Sequence, residues 1–362
     1  MTRVALVAPT LGILGGQAVQ ADALLRAFRA DGAPVELVPI DRTFPAGLCW
    51  LKAWPYARTL LNEALYVAAL RRLRAFDVIH VFSASYWSFV LAPVPAIVLG
   101  RRLGKRVILN YRSGEADDHL RRWGRLVHPW LRLVDEIVVP SVYLQKVFAS
   151  FGYRTRVIQN VVDTRQFKYR ERRPLAPRLL SNRNLEPHYR VEDNLEAFRL
   201  VRRRYPSATL TVAGTGAAEP RLRRLADDIA PEAIRFVGRV EPARMPGLLD
   251  EADVFVNASV IDNQPVSILE AFAAGLPIVS TPTGDIRDML GDGERGVLVE
   301  PRSPAAMAAA VIALLEGGDS HVPMVRRARR EIERYAWSQV REAWAHAYAG
   351  RQPVTAPVEV TA

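Results

Sequence analysis

Short runs of aliphatic and β-branched residues, each followed by a longer amphipathic stretch, recur along nearly all of this 362-residue chain. No other feature constrains the fold as much, because strands that alternate with helices build βαβ units and a parallel sheet. In the first half the strand runs fall at 3–8, 35–40, 77–82, 106–110 and 136–139, separated by helical patterns such as QAVQADALLRAFRADG. In the second half they fall at 177–182, 208–213, 234–238, 253–257, 277–281 and 296–299, with VEDNLEAFRLVRRRY and PAAMAAAVIALLEGG among the helices. Between them NVVDTRQFKYRERRPLAP is charged, Pro-containing and weakly periodic, which predicts a linker.

The expected architecture is therefore α/β: two doubly wound domains of similar size facing one another across a cleft. The first spans 1–165, the linker 166–175, and the second 176–335. An aromatic-rich helix over about 336–350, within YAWSQVREAWAHAYAG, is expected to cross back onto the first domain. The tail after Arg351 is polar and expected to fray. Ligands of open parallel sheets bind beyond the carboxyl ends of the strands, so the cleft is the expected site.

The single cysteine, Cys49, excludes a disulfide framework and a thiolate metal cluster within one chain. MTRVALVAPTLG fits a first strand better than a signal peptide. The longest apolar run, YWSFVLAPVPAIVLG, holds two prolines and falls short of the roughly 20 residues a bilayer requires. The expectation is a cytoplasmic protein. Charge is uneven: residues 1–175 hold 26 Lys+Arg against 13 Asp+Glu, a net of +13, whereas residues 176–362 hold 23 against 25, a net of −2. A basic first half points to an anionic partner, a membrane surface or nucleic acid, unless it reflects a general preference for Arg.

The stretch VIDNQPVSILEAFAAGLPIVST poses the sharpest question. From Pro265 to Ala274 nearly every residue is apolar, yet Glu270 sits near the middle of this helix, and an unpaired buried carboxylate is costly. Pro265 suits the first helical turn and Gly275 the position just past the end. A helix start after the strand VFVNAS, preceded by Asp262, Asn263 and Gln264, offers free N–H groups and a partial positive charge to a phosphate, and Ser267 adds a hydroxyl. Glu270, about 5 Å further along the axis, is placed to accept hydrogen bonds from two vicinal hydroxyls, as on a ribose. The other reading is a buried Glu bonded to a neighbouring backbone group or Arg. In SNRNLEPHYRVEDNLEAF, Arg183 and Arg190 flank a loop beyond the first strand of the second domain, a pair able to clamp a diphosphate.

These residues resemble glycosyltransferase family 4, the retaining GT-B group that uses nucleotide-sugar donors, and the resemblance covers nearly the whole chain. It implies two Rossmann-like domains with the donor on the second. DNQPVSILEAFAAGLPIVSTPTGDIRDML is similar to the family's E-x7-E block, with Asp262 in place of the first Glu and Glu270 as the second. By that resemblance Glu270 binds the donor ribose, while Asp262, Asn263, Gln264 and Val266 surround the sugar and phosphates. Arg183 keeps the family's diphosphate Arg, Arg190 replaces its Lys, and Val191 replaces the following Gly. VAGTGAAEPRL, with Gly214 and Gly216, and FVGRV, with Arg239 and Val240, resemble the loops that flank the base. Gly15 and Gly16 match the glycine-rich turn that lets backbone approach the donor, and Asn160, Asp163 and Phe167 match the hinge signature.

One departure stands out: Arg112 and Ser113 occupy the place where the family commonly carries a His, and His119 is seven positions past Arg112. Acceptor contacts would then fall to backbone groups and Glu115, with His80 as a further candidate. A catalytically altered donor-binding homologue and a nucleotide-sugar 2-epimerase are the alternatives within the fold. G-x-G-x-x-G and G-x-S-x-G are absent, and no histidine pairs with a carboxylate or cysteine at metal-ligand spacing, so neither a bound metal nor a cofactor is expected. The stretch HLRRWGRLVHPWLRLV, with Trp123 and Trp130 among four arginines, has the mix of an interfacial helix. On that reading the protein is peripheral at the inner membrane face and its hydroxyl acceptor is lipid-linked or an envelope polysaccharide. A nucleic-acid binder is the rival from another class, motivated by charge alone and supported by no recognised motif.

Overall fold

Strand β1 (Val4–Ala8) reads VALVA and buries all five side chains, as an inner strand of a parallel sheet covered on both faces must. In this computed structural model, which describes residues 2–13 and 15–351, it is joined by β2 (Val35–Pro39), β3 (Val78–Ser83), β4 (Arg106–Tyr111), β5 (Glu136–Val139) and β6 (Arg156–Val157). All pairings are parallel, in the order β2-β1-β3-β4-β5-β6. The second sheet holds β7 (Arg178–Asn182), β8 (Thr209–Ala213), β9 (Ile234–Gly238), β10 (Val254–Asn257), β11 (Ile278–Ser280) and β12 (Val297–Leu298). Its strands are also parallel, in the order β12-β11-β10-β7-β8-β9. Both sheets are doubly wound, as the alternation predicts. Only β6 was not expected: two residues, one of them Arg, show no period.

The chain divides into two compact units, the first ending at Val161 and resuming at Val340, the second running Val162–Gln339. The tail expected to fray lies outside the described residues. The helix Trp337–Tyr348 joins the first unit, as its aromatic content led us to expect. Trp344 stacks on His80 at 4.5 Å and the Tyr348 hydroxyl lies 2.9 Å from His80 Nδ1. Arg106 Nε then donates to Ala347 O (2.9 Å), a cation at the carboxyl end of that helix, where the helix dipole favours it.

The stretch expected to be a linker is instead fastened into the second unit. Arg172 is buried and donates to five carbonyls: Ala252 O (2.6 Å), Leu249 O (2.7 Å), Ala274 O (2.9 Å), Gly275 O (3.0 Å) and Arg170 O (3.0 Å). Asp253 lies 3.8 Å away as its counter-charge. One guanidinium thereby satisfies the last carbonyls of two helices, Met245–Glu251 and Val266–Ala274, that no intrahelical donor can reach. Its charge made the segment look solvated in the sequence, whereas the carbonyls of two helix ends are what it solvates. Arg172→Met should destabilise the second unit by about 3–5 kcal/mol, because these carbonyls stay buried without their donor, while Asp253 keeps its other partner, Arg178. Urea unfolding of the two proteins checks this, and an unchanged midpoint would show that the carbonyls find other partners.

Candidate functional site

In the second sheet the strand order reverses between β7 and β10, the place where a doubly wound sheet opens a crevice beyond its strand ends. Arg183 follows β7 directly and the segment from Asp262 to Ser267 follows β10, so the fold brings them to the same edge. Arg183 Nη2 donates to Asp262 Oδ2 (2.6 Å) and Nη1 to Ser267 Oγ (3.2 Å), and its guanidinium lies 4.2 Å from the Tyr189 ring. Its Nε is buried with no partner among the described residues.

The loop that carries Arg183 is pinned from behind. Arg183 N donates to Ala213 O (3.2 Å) and Leu185 N to Thr215 O (3.0 Å). A Cβ at Gly214, which has φ +127°, would stand 2.1 Å from Arg183 O, and one at Gly216 would stand 2.5 Å from Leu185 C. These glycines therefore serve the close approach of two loops, a reason the sequence did not show; Arg239 and Val240 follow β9 on the next loop.

The helix expected from Pro265 begins one residue later, as Val266–Ala274, with Pro265 extended at the N-cap and Gly275 left-handed (φ +74°) past the end. A proline cannot use its side chain to cap, and among the described residues no side chain caps this helix start, which leaves its first N–H groups without a side-chain partner. Asn263 and Gln264 are buried in the preceding loop. Gln264 Nε2 donates to Asp285 Oδ2 (3.0 Å), Asp285 N to Asn263 O (3.1 Å) and Asn263 N to Asp262 Oδ1 (3.0 Å). Gly284, at φ +60°, passes so close that a Cβ would fall 2.2 Å from Asp262 O. Asp262 is thus held by Arg183, by its own loop and by the turn across from it.

Glu270 answers the question the sequence posed. It lies three residues beyond Ser267, on the same side of the helix. The surrounding protein desolvates its carboxyl and pushes the pKa from 4.5 up to about 8, and among the described residues no hydrogen bond or charged neighbour contributes to hold it down. The alternative reading, a Glu satisfied by backbone or Arg, is not what the fold provides. A carboxyl without a donor and an Arg183 Nε without an acceptor share the neighbourhood of one open helix start.

Arg190 behaves differently from the clamp expected of it. It has φ +49° and ψ +41°, and its guanidinium turns back to Asp193 (2.8 Å) and Glu192 (2.9 Å) in the first turn of the helix Val191–Arg204. The left-handed backbone falls at Arg190, where a glycine is most at ease, and not at Val191, where the resemblance set its Gly.

Residues 14–166 match the model of Glycosyltransferase Family 4 and residues 176–317 that of Glycosyl transferases group 1. Glycogen synthase of Mycobacterium tuberculosis is 30% identical over 318 residues, 82% of this chain and 75% of the relative. The chain belongs to glycosyltransferase family 4. Phosphatidyl-myo-inositol mannosyltransferase of Mycolicibacterium smegmatis is 29% identical over 215 residues, 58% of this chain and 55% of that one. Among solved structures, HepE of Anabaena in complex with UDP-glucose superposes with a TM-score of 0.75 at 16% identity, covering 97% of this chain and 100% of that chain. The GT-B fold expected from the sequence is the fold observed.

In the first unit of this family 4 glycosyltransferase, His80 does not reach solvent. It lies mid-strand in β3 between Tyr348 and Asn110, whose Nδ2 faces His80 Nε2 at 3.0 Å, and burial together with Arg112 pushes its pKa down to about 3. It is a neutral core residue that seats the last helix, which corrects its placement as an acceptor contact. Arg112 bonds Asn160 and approaches Asn110 Oδ1 at 3.4 Å, with its guanidinium 5.3 Å from the Phe82 ring. Burial lowers its pKa to about 9, so it remains a cation at neutral pH. Glu115 stands half-buried at the start of the helix Ala116–Arg122, and its N–H donates to Ser113 Oγ (3.3 Å). Gly15 is the N-cap of the helix Gly16–Ala30, and a Cβ at Gly16 would meet no atom, so no internal packing requires a glycine there. His119 is buried, with Nδ1 2.9 Å from the Tyr111 hydroxyl and Nε2 without a partner.

Sequence reasoning missed the polar floor at the ends of β10 and β11. Asn257 donates to Ser280 Oγ (2.9 Å), Ser259 to Asn257 Oδ1 (2.7 Å), and both Thr281 (2.5 Å) and Thr283 (2.8 Å) to Ser259 O. These bonds tie the ends of β10 and β11 together. Polar residues closing two apolar strands were the available signal. Tyr189 was missed for want of any signal, since one aromatic in a loop has no pattern.

Proposed function

We propose that this glycosyltransferase moves a hexosyl group from a nucleoside-diphosphate sugar to a hydroxyl acceptor, with retention of configuration. The observation that carries the reading is the coincidence, at one switch point, of an uncapped helix start, the cation Arg183 and the unpartnered carboxyl of Glu270. Phosphates suit the first two and the vicinal hydroxyls of a ribose suit the third. HepE, solved with UDP-glucose, supports a donor of this class. In this proposal Asp262, Asn263, Gln264 and Val266 surround the sugar and its phosphates, Gly214, Gly216, Arg239 and Val240 flank the base, and Gly15 and Gly16 admit the donor to backbone. As the bond from the anomeric carbon to the diphosphate breaks, its electron pair moves to the leaving phosphate oxygen. Arg183 and the helix dipole offset that charge, and the acceptor hydroxyl oxygen bonds the same face of the sugar as its proton passes to the leaving phosphate oxygen. Arg190 reaches the diphosphate only by leaving Asp193 and Glu192.

In this proposal the Arg183 guanidinium and the helix N–H groups meet the diphosphate directly, and no metal ion is required. Among the described residues no group of three or more His, Cys, Asp or Glu side chains is placed to hold one. No described helix is long and apolar enough to cross a membrane. A relative named for phosphatidyl-myo-inositol supports an acceptor carried on a lipid. Melting the protein with UDP, GDP, ADP and their sugar conjugates in the presence of chelator tests the donor. One base should raise the melting temperature by about several degrees at saturating ligand. A flat response to all of them would remove the proposal.

A further inference from the structure

Six large apolar side chains that stand exposed fall in one stretch between β2 and β3: Leu48, Trp50, Trp54, Tyr56, Leu60 and Val67. Trp50 is 64% exposed, Trp54 66%, Tyr56 87% and Leu60 73%. They belong to the short 3-10 helix Ala46–Ala53, the residue after it, and the helix Pro55–Ala69. In the second helix Tyr56, Leu60 and Val67 recur at helical spacing and form one stripe. The other side of that helix is already anchored. Tyr66 is buried and its hydroxyl donates to Ala92 O (2.6 Å), while Asn62 donates to Ile40 O (3.0 Å) and accepts from Arg42 N (2.8 Å). The helix is therefore fixed to its unit by one face and presents a second apolar face outward, where a surface helix ordinarily carries charge.

The flanking charge says what covers that face. From Arg42 to Arg74 the chain holds six Lys+Arg and a single carboxylate, Glu63. Arg58, Arg71 and Arg74 are exposed, and Arg72 has one loose partner, Glu36 at 3.5 Å. A second copy laid on this face would bring two cationic rims together, which like-charge repulsion opposes. An anionic bilayer meets both requirements at once: Trp and Tyr settle at headgroup depth while arginines reach lipid phosphates. The stretch at 119–134, which the sequence had singled out, is less suited. There Arg121 and Arg122 are paired with Asp117 (2.9 Å) and Asp118 (2.8 Å), and Trp123 packs edge-on to Trp87 at 5.2 Å.

We propose that residues 46–67 form a docking surface that seats the first unit on an anionic lipid bilayer. The inference stands on exposure and charge, independent of which donor or acceptor the enzyme uses. Flotation of the full chain tests it, with vesicles of phosphatidylcholine alone and of phosphatidylcholine with about a third phosphatidylglycerol. The wild type should float with the anionic vesicles and not with the neutral ones, and high salt should release it. The triple variant Trp50→Ser, Trp54→Ser, Leu60→Ser should bind at least about tenfold more weakly. Its melting temperature and its response to nucleotide should be unchanged, because all three side chains point to solvent. As a second measurement on the wild type, bromine-labelled acyl chains should quench tryptophan fluorescence. Equal binding by the triple variant, no flotation of the wild type with either vesicle, or absence of quenching would overturn the proposal. So would a lipid-independent dimer that the triple variant abolishes, since a second copy would then be the occupant.

Discussion

Arg183→Ala should lower turnover by about 10²–10³-fold at saturating donor, the size of effect seen when a donor aimed at developing oxyanion charge is removed. Arg183 is the cation held at the switch point by two fixed partners, Asp262 and Ser267, and its Nε is still unused. That preorganisation is what lets it stabilise charge without first reorganising. Arg183→Lys should recover little, because an ammonium cannot span Asp262 and Ser267 while stacking on Tyr189. The substitution also strips Asp262 of its ion pair, so part of any loss could come from the loop. Release of nucleoside diphosphate is therefore measured beside the dissociation constant for the diphosphate product and the melting temperature. A chemical role predicts a large drop in turnover with a small change in melting. Wild-type turnover in the alanine variant would show that the diphosphate is held elsewhere.

Glu270→Gln should separate stability from binding. Burial raises the carboxyl pKa from 4.5 to about 8 in the folded protein, so the native state binds more protons than the unfolded chain between those values. Stability then falls as pH rises from about 4.5 to about 8, and the full penalty applies above. It is about 2–4 kcal/mol after allowing for the partial exposure of the residue. The neutral amide escapes the penalty, so the unliganded variant should be more stable than wild type at pH 8 and indistinguishable from it near pH 4. Donor affinity should move the other way, weakening by about 10–100-fold, since an amide offers one acceptor oxygen where a carboxylate offers two. Donor hydroxyls favour the ionised carboxylate, so donor binding to wild type should release a proton and tighten as pH rises toward 8. The variant should lose that dependence. Denaturant unfolding and calorimetric titration across this pH range provide both readouts, and a flat pH profile for wild type would place Glu270 outside the donor site. The trade is the one expected where a destabilised group is kept for function.

Much of this was legible in residue order. The alternation of strands and helices, a glycine past the end of an apolar helix and a lone acid within that helix are local facts. They led to two parallel sheets, a helix ending at Gly275 and an acid set apart within it, because period and backbone conformation depend on near neighbours. The basic segment from Lys168 to Arg173 misled for an equally physical reason. Composition registers a charge but not whether water or buried carbonyls will solvate it, and for Arg172 the carbonyls belong to residues about 80 and 100 positions away.

The amino-acid sequence by itself determined the fold class, the helix start after β10 and the unusual acid inside it. Only the tertiary structure decided which charges are available. Arg183 is aimed into the crevice because β7 lies beside β10, Arg190 is turned away because two carboxylates lie one helical turn from it, and His80 is sealed into the core by a helix arriving from the far end of the chain. The exposed aromatics at 46–67 belong with these, since burial of one helix face and exposure of the other depends on what packs against it. Local patterns report what a segment can form, but pairing and solvation are set by groups that folding brings in from elsewhere, and no local period encodes them.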